Sequence, residues 1–448
     1  MNILLINPWI YDFAAYDLWL KPLGLLQIAS FLERFRHKVS LINCLDRHHP
    51  LLEQRYKKLP LSRKFDCGKF FFQEVEKPAV LKDVPRRYKR YGIPPDIFEQ
   101  ELSRMKPPDL VGITSGMTYW YPGVFEVIKR VKENFPSVPV VLGGIYATLC
   151  SEHARNFSGA DYFVEGEGEI AVLKIIDKLQ GVKRDYSDIT LQRIKEDIIP
   201  AYHLIPHAKS AAILTSRGCP FRCSYCASPV LNRDIFVQEK SQKVLKKIEY
   251  LVREFRIKDI AFYDDALLVN AKNHIIPILE GIIKKLKGKV RFHTPNGLHV
   301  RFIDKKIAKL FYSANFKTIR LSFESTADET QKISSYKASR QNLTGVIENL
   351  SSAGYKKEDI GVYILVGLSH QRMDEVIESI KFVKSKGVKA KIAEFSPIPG
   401  TVEFEKALTK SSLPLQEEPL LHNNLCFYLW NKNISYEELC KIKNLTKG

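Results

Sequence analysis

The 448-residue sequence has no uninterrupted apolar run long enough to cross a lipid bilayer. Its first residues, MNILLINPW, lack the basic segment and the small-residue cleavage site of a secretory signal. No RGG repeat, polybasic tail or basic–aromatic ladder is present either. We therefore expect a cytoplasmic protein without a membrane span, in which cysteines stay reduced and a cysteine cluster indicates a metal or redox site.

The charge of the chain is strongly unbalanced, with 69 Lys and Arg against 50 Asp and Glu and a net charge of +19. An anionic partner such as nucleic acid would account for this excess. Much of the excess, however, lies on amphipathic segments such as KSQKVLKKIEYLVREF, where basic residues alternate with apolar ones. We interpret these segments as solvated helix faces, and we do not expect a nucleic-acid partner.

Two successive alternations of apolar strands and amphipathic helices run along the chain, a pattern typical of α/β folds with parallel sheets. The first alternation predicts strands at 3–6, 39–42, 110–114, 138–142 and 162–164. It predicts helices at 23–35, 123–135 and 169–179. Residues 46–108 interrupt it without matching periodicity, and so long an interruption indicates a functional loop or an inserted subdomain. We predict a Rossmann-like domain over residues 1–180.

The second alternation predicts strands at 211–215, 259–263, 290–292, 318–322, 362–366 and 391–395, which makes six βα units. Six units are too few for a closed eight-fold barrel, so we predict a partial (β/α)6 barrel of the TIM type over residues 205–400. A short irregular extension over 401–448 ends in one helix, at 436–443. In barrels of this type the chemistry lies on the loops that follow the strands.

Three cysteines, Cys219, Cys223 and Cys226, occupy the loop TSRGCPFRCSYCA directly after the first predicted barrel strand. Three thiolates can hold three irons of a [4Fe–4S] cube and leave the fourth iron open to another ligand. The alternative is a zinc site completed by a distant histidine, His203 or His207. We favour the iron–sulfur cluster, because zinc sites usually place two residues between paired ligands.

The stretch CPFRCSYC resembles the CxxxCxΦC loop of the radical S-adenosylmethionine (SAM) superfamily, where Φ is an aromatic residue and Tyr225 takes that place. The resemblance implies that SAM chelates the open iron and is cleaved to methionine and a 5′-deoxyadenosyl radical. The segments YILVGL and FSPIPGT resemble the fifth and sixth strands of the same superfamily, although SHQRMDE replaces the usual continuation of the fifth.

Four residues are predicted to bind SAM on the strength of this resemblance. Tyr225 lies within the cysteine loop, and Asp264 and Asp265 lie in AFYDDALLVN after the second strand. Either aspartate could accept hydrogen bonds from the SAM ammonium, or cap a helix, and the sequence leaves open which does what. Glu324 ends the fourth strand in RLSFES, where relatives often have a polar residue near SAM; a surface glutamate is the alternative.

The N-terminal domain resembles the cobalamin-binding domains found in one class of radical SAM enzymes. The resemblance lies in KPLGLLQIASFL, VVLGGIYAT and YFVEGEGE. Thr114, Ser115, Gly143 and Gly144 fall at predicted strand ends, where open α/β sheets bind ligands, and are the candidate cobalamin residues. The DxHxxG motif that supplies a histidine ligand is missing, since the loop after the first strand reads NPWIYDFAAYD. LDRHHPL follows the second strand instead, and we interpret its partial match as coincidence.

These features predict a radical SAM enzyme that uses a [4Fe–4S] cluster, SAM and cobalamin. We expect methyl transfer to an unactivated carbon of a small-molecule or peptide substrate, with electrons from a donor such as flavodoxin or ferredoxin. No catalytic side chain is identified. Two alternatives are a tRNA methylthiotransferase-like enzyme, with Cys44, Cys67 and Cys150 as further cluster ligands, and a non-catalytic iron–sulfur protein that binds nucleic acid.

Overall fold

The computed structural model describes residues 1–56, 59–60, 62–187, 198–336, 338–431 and 433–447. The chain divides into two units, Met1–Lys209 with Glu417–Leu420, and Ser210–Gln416 with Leu421–Gly448. Among the described residues, no helix is both long enough and apolar enough to cross a membrane.

The strands of the first unit are short. They are β1 (Asn2–Asn7), β2 (Ile10–Asp12), β3 (Tyr16–Asp17), β4 (Lys38–Asn43), β5 (Gly68–Lys69), β6 (Phe72–Glu74), β7 (Lys89–Tyr91), β8 (Leu110–Ile113), β9 (Val140–Leu142) and β10 (Tyr162–Phe163). The α-helices are α1 (Leu23–Arg34), α2 (Pro50–Arg55), α3 (Pro95–Ser103), α4 (Tyr121–Asn134), α5 (Ile145–Leu149), α6 (Ser151–Phe157) and α7 (Gly168–Gln180).

Five of these strands form a parallel sheet in the order β10-β9-β8-β1-β4. Leu4 and Ile6 of β1 face a core shared with α3 and α4, whereas Ile3 and Leu5 face a second core shared with α1 and α7. Because both faces are covered, the central strands β8 and β9 are buried along their whole length. The strand order reverses between β1 and β8, and the carboxyl ends beside such a point are where open α/β sheets bind ligands.

The interruption at 46–108 is folded. The strands β2, β7 and β6 form an antiparallel sheet, and β3 pairs with β5. Helix α3 lies here too, with Ile97, Phe98 and Leu102 fully buried. The sequence pattern did not reveal these strands, because each has only two or three residues and β2 pairs with β7 from outside the interruption, which leaves no periodicity to read.

The strands of the second unit are β11 (Ser210–Ile213), β12 (Ser216–Arg217), β13 (Val237–Gln238), β14 (Asp259–Phe262), β15 (Arg291–His293), β16 (Leu298–His299), β17 (Phe316–Glu324), β18 (Ile360–Val366) and β19 (Lys389–Glu394). The α-helices are α8 (Ser228–Leu231), α9 (Ser241–Phe255), α10 (Ile275–Leu286), α11 (Lys305–Ser313), α12 (Asp328–Ile333), α13 (Arg340–Ala353), α14 (Met373–Ser385), α15 (Val402–Lys410), α16 (Phe427–Trp430) and α17 (Tyr436–Leu445).

Six parallel strands form the main sheet of the second unit, in the order β11-β14-β15-β17-β18-β19, and the short β16 pairs separately with β17. Within the described residues β11 and β19 each have one neighbour in this sheet, which leaves its two edges open. The predicted α/β class and the six-stranded partial barrel are therefore confirmed. The predicted helix at 436–443 corresponds to α17, whereas α15, capped by the Thr401 hydroxyl, was not foreseen.

Candidate cofactor and catalytic site

A cavity of about 420 Å³ lies at the carboxyl ends of the strands of the second unit. Cys219, Cys223 and Cys226 all line it, and so do Asp264 and Asp265. Ser322, Tyr363 and Ala393 contribute from β17, β18 and β19. The volume lies within the range of about 300–1,000 Å³ common for small-molecule sites. The cavity therefore brings the predicted cluster ligands together with both predicted aspartates.

The cysteine loop is held in shape by backbone constraints on either side of the ligands. Gly218 has φ +75°, and a Cβ at this position would lie 1.9 Å from the Ile235 carbonyl oxygen, so only glycine fits. The Cys226 backbone N–H donates to the Cys223 carbonyl at 3.1 Å. The Ser228 backbone N–H donates to the Cys226 sulfur at 3.4 Å. These contacts direct the three thiols to one wall of the cavity.

The electrostatics of this wall suit a cationic ligand. Burial raises the pKa of the Cys219 thiol to about 11, and negative charge on Cys226, Cys223 and Asp265 raises it further. Each thiol therefore opposes ionisation of the others until a positive centre is present. An iron–sulfur cluster supplies such a centre, and soft thiolates are its usual ligands.

The zinc alternative gains no support from the described histidines. His203 lies in the first unit, where its Nε2 is 2.9 Å from the Glu33 carboxylate. Across the described ranges, no three His, Cys, Asp or Glu side chains form a group that could hold a single metal ion.

Asp264 anchors the base of the cysteine loop. Its Oδ1 accepts from the backbone N–H and the hydroxyl of Thr215, at 2.9 and 2.8 Å, and from the same two groups of Ser216, each at 2.6 Å. Its Oδ2 is buried and has no hydrogen-bond partner among the described residues. Burial raises the pKa of this carboxyl to about 6, although the four hydrogen bonds oppose the shift.

Asp265 has a different environment. It lines the cavity, is accessible to solvent and accepts from the Ser228 hydroxyl at 2.6 Å. Desolvation by the surrounding protein raises the pKa of its carboxyl. Neither aspartate caps a helix, because the next helix begins at Ile275. The sequence could not tell the two aspartates apart, but their contacts do. Asp264 anchors the cysteine loop, and Asp265 lies exposed in the cavity.

Glu324 ends β17 in a left-handed conformation with φ +71° and is buried, so it is not a surface glutamate. Its carboxylate accepts from the Ser322 hydroxyl at 2.5 Å, and Ser322 in turn lines the cavity. A non-glycine residue held at positive φ is strained, and strain of this kind clusters at functional sites. Tyr225 is half-buried and does not belong to the cavity lining.

The four candidate cobalamin residues meet at the carboxyl ends of β8 and β9. The Ser115 hydroxyl donates to the Gly143 carbonyl at 2.7 Å and accepts from the Ala147 backbone N–H at 3.2 Å, which ties the two strand ends together. Gly144 has φ +96°, and a Cβ there would lie 2.4 Å from the Ser115 carbonyl oxygen. Thr114 and Gly143 are half-exposed at the same edge.

The loop after β1 contains a short β-strand and offers no histidine ligand. Its residues 10–12 form β2, and Asp12 accepts from the Trp120 indole N–H at 2.8 Å. His48, from the partial motif after β4, has its Nε2 2.9 Å from the Asp66 carboxylate.

Comparison with known proteins identifies both units. A model of the radical SAM superfamily matches residues 213–383, and a model of the B12 binding domain matches residues 91–176. The chain thus carries a radical SAM domain and a B12-binding domain. A radical SAM domain implies a [4Fe–4S] cluster and SAM, and the B12-binding domain of the first unit implies cobalamin.

Several curated relatives of this radical SAM enzyme are methyltransferases. An uncharacterized methyltransferase of Pyrococcus horikoshii is 26% identical over 372 residues, which cover 76% of this chain and 75% of that protein. A bacteriochlorophyllide d C-12(1)-methyltransferase of Chlorobaculum tepidum is 24% identical, over 66% of this chain and 65% of its own. An anaerobic magnesium-protoporphyrin IX monomethyl ester cyclase of Rubrivivax gelatinosus is also 24% identical, over 64% and 56%.

Two solved structures share the fold across both units. The radical SAM methyltransferase TsrM of Kitasatospora setae, with cobalamin and a [4Fe–4S] cluster bound, superposes with a TM-score of 0.66 at 14% identity, over 92% of this chain and 76% of its own. The cobalamin-dependent radical enzyme OxsB, with aqua-cobalamin and SAM bound, gives a TM-score of 0.58 at 16% identity, over 100% and 61%.

The residues present fit these cofactors. In the radical SAM unit, three thiols and a carboxylate converge on one cavity, a donor set suited to a cluster and a cationic ligand beside it. In the B12-binding unit, a Cβ on Gly143 would meet nothing closer than 3.5 Å, so packing within the protein does not require glycine there. Backbone without a side chain at a strand end lets a large flat ligand approach closely.

Three aromatic residues of the cavity were missed by sequence reasoning. The Phe221 ring lies 4.7 Å from the His299 ring, and the His299 ring lies 4.9 Å from that of Phe302. All three line the cavity beside the cysteines. The position of Phe221 between the first two cysteines was a usable signal, whereas His299 and Phe302 follow β15 in a segment with no distinctive pattern.

Proposed function

We propose that this radical SAM enzyme transfers a methyl group from SAM to an unactivated carbon of its substrate, with cobalamin as the methyl carrier. The observation that carries the proposal is the combination of a three-cysteine cavity in one unit with a B12-binding domain in the other. Methyltransferases among the relatives support this reaction, and the cyclase among them marks the competing radical chemistry that the test must exclude.

The cysteine loop has the first role in this function. Cys219, Cys223 and Cys226 would bind the cluster, and Asp264 would hold the loop base in position through Thr215 and Ser216. When bound, the cluster supplies the electron that cleaves SAM, and cobalamin carries the methyl group. The buried anchor keeps the ligand geometry the same whether or not the cavity is filled, a form of preorganisation.

Asp265 is proposed to orient SAM. Of the two aspartates that line the cavity it is the exposed one, and an ionised carboxylate accepts strong hydrogen bonds from an ammonium group. The negative charge of Asp265 would also offset the sulfonium charge of SAM. Glu324, with Ser322, is proposed to contact the ribose or carboxylate side of the same ligand. Tyr225 is proposed to bind SAM from its place in the cysteine loop.

Phe221, His299 and Phe302 are proposed to exclude water from the cavity. Their rings pack against one another along the wall that begins between the first two cysteines. Radical chemistry requires such a dry site, because water and other hydrogen donors divert reactive species.

The cobalamin site is proposed at Thr114, Ser115, Gly143 and Gly144, without a histidine ligand from the loop after β1. The donor of electrons would be a small redox protein such as flavodoxin or ferredoxin in the cytoplasm. The methylthiotransferase alternative is disfavoured, because residues 91–176, which include Cys150, match a B12 binding domain instead.

The test is anaerobic reconstitution of the full chain with iron, sulfide and hydroxocobalamin, followed by gel filtration. We expect corrin absorption to co-elute with the protein, and S-adenosylhomocysteine to form from SAM only when cobalamin is present. The Gly143→Leu variant should lose the corrin and keep the iron. A chain that forms 5′-deoxyadenosine but neither retains corrin nor releases S-adenosylhomocysteine would refute methyl transfer and favour another radical reaction.

A further inference from the structure

The interior face of the partial barrel carries positive charge next to the cavity. Side chains alternate along a strand, so Arg320 lies on the same face of β17 as the cavity residue Ser322. Lys389 and Lys391 likewise share a face of β19 with the cavity residue Ala393. Half-buried Arg320 and Lys391 therefore lie on the interior face directly below the residues that line the cavity, and exposed Lys389 lies one step further down β19.

Two of these cations meet over a glycine on the strand between them. Gly361 of β18 pairs with Arg320 on one side and Lys389 on the other. A Cβ on Gly361 would lie 2.9 Å from Arg320 Cδ and 3.1 Å from Lys391 Cδ. The Arg320 and Lys391 side chains thus converge above the bare backbone of β18, and a larger residue would separate them.

The two lysines of this group have no ion-pair partner among the described residues. Asp259, an acidic residue on the same sheet, is already engaged by the Arg291 guanidinium at 2.6 and 2.7 Å and by His293 at 3.0 Å. Burial lowers the pKa of Lys391, and the charges of Arg320 and Lys389 lower it further. Like charges held close together are costly, and an incoming anion relieves that cost.

The cationic group is connected to the cavity through Tyr363. This residue follows Gly361 by two positions, pairs with Lys391 in the sheet and lines the cavity. Its hydroxyl donates to the Pro295 carbonyl at 2.9 Å, and the nearby Arg320 charge partly offsets the rise in its pKa that burial causes. Among the described residues, β19 has a single strand neighbour, β18, which carries both Gly361 and Tyr363.

We propose that Arg320, Lys391 and Lys389 bind an anionic group of the substrate, a carboxylate or a phosphate, and hold its reactive carbon in the cavity above. This inference rests on the proposed function, because it assigns the anion to the molecule that the enzyme modifies. The planar guanidinium of arginine can donate two parallel hydrogen bonds to an oxyanion, and the lysine ammonium adds a compact positive charge. Together they suit a carboxylate or a phosphate.

Lysines on an edge strand have another established use, which is to prevent pairing with strands of other molecules. That role needs exposed lysines only. It does not explain why half-buried Lys391 lies beside Arg320, nor why the residue beneath both side chains is Gly361.

The test uses the full-length protein without cofactors and measures acetylation of individual lysines by peptide mass spectrometry. Inorganic phosphate forms one arm and succinate the other, which separates the two sources of anion. We expect at least one of them to slow acetylation of Lys391 by about tenfold at saturation. Lys317, which is exposed on the opposite face of β17, serves as the internal control and should react equally with and without anion.

Two variants keep the proposal falsifiable. Gly361→Ala retains every charge but fills the gap, and should weaken anion protection of Lys391 by about tenfold. Lys391→Met should abolish calorimetric binding of the same anion, whereas Lys317→Met should leave it within about twofold. Absence of protection by both anions in the wild-type chain, or equal anion binding by Lys391→Met and Lys317→Met, would overturn the proposal.

SAM affinity separates this inference from the proposed function. The anion assays need neither SAM nor reductant, so failure of SAM cleavage would count against the proposed function alone. In the reconstituted enzyme, Lys391→Met should bind SAM as the wild type does. If SAM binding weakens in parallel with anion binding, the cations serve the SAM carboxylate and the substrate assignment is wrong.

Discussion

Replacing Gly218 with alanine should disrupt the cysteine loop more than the addition of a single methyl group would suggest. The residue has φ +75°, a conformation that costs an L-amino acid about 1–2 kcal/mol. The new Cβ would also lie 1.9 Å from the Ile235 carbonyl oxygen, which is backbone and cannot rotate away. Relief of this clash requires the loop to shift, so we expect a total loss of about 3–5 kcal/mol in unfolding free energy.

Substitutions at two other glycines distinguish the cost of a positive φ from the cost of a steric clash. Gly288 has φ +73°, but a Cβ there would have no heavy atom within 4 Å, so Gly288→Ala should cost only about 1 kcal/mol. Gly345 lies inside helix α13 with open space around it, and Gly345→Ala should stabilise the protein by about 0.5–1 kcal/mol. Of the three substitutions, only Gly218→Ala should affect the cluster.

The assay pairs urea unfolding with iron and sulfide content after anaerobic reconstitution. Gly218→Ala should retain less than about a tenth of the wild-type cluster, because a shift of the loop displaces the ligand that follows it. Gly288→Ala and Gly345→Ala should reconstitute fully. If Gly218→Ala takes up a full cluster and unfolds like Gly288→Ala, the account of the loop is wrong.

Three further predictions concern single side chains. Asp265→Asn should keep its cluster but bind SAM about tenfold more weakly in equilibrium dialysis, and unchanged affinity would remove Asp265 from the SAM site. Glu324→Gln should weaken SAM binding by a smaller factor, about threefold, and no change would leave Glu324 a structural role only. Burial lowers the pKa of His274 to about 4, so the neutral ring stabilises the fold fully above pH 6.5 and that stability is lost as the pH falls towards 4. His274→Gln should flatten the fall of about 3 kcal/mol seen in urea unfolding over this window, and an unchanged slope would contradict the assignment.

The sheets were predictable because their strands are buried on both sides or lie in regular βα alternation. Each predicted strand, such as 259–263 against the observed Asp259–Phe262, was placed within about two residues. Helix α3 was not predicted, because it has only nine residues and lies within the long interruption that shows no regular alternation, although Pro95 at its first position is a usual helix start. The antiparallel strands β2, β6 and β7 were also missed, since their pairing is visible only once the chain has folded.

The candidate cysteine ligands could be predicted from their spacing and from their position after the first barrel strand, but the roles of their neighbours could not. Asp264 and Asp265 are adjacent and of the same type, so only their hydrogen bonds distinguish them. Asp264 accepts from Thr215 and anchors the loop, whereas Asp265 accepts from Ser228 and is exposed in the cavity. The convergence of Arg320 and Lys391 depends on the register of three strands and on a glycine between them. Such contacts join residues about 70 positions apart and leave no local pattern in the sequence.

The most direct test of the central claim is the formation of 5′-deoxyadenosine from SAM by the anaerobically reconstituted chain in the presence of a reductant. The wild type should form it, and the variant in which Cys219, Cys223 and Cys226 are all alanine should not. If 5′-deoxyadenosine forms equally in that triple variant, the three-cysteine cavity is not the site of SAM cleavage.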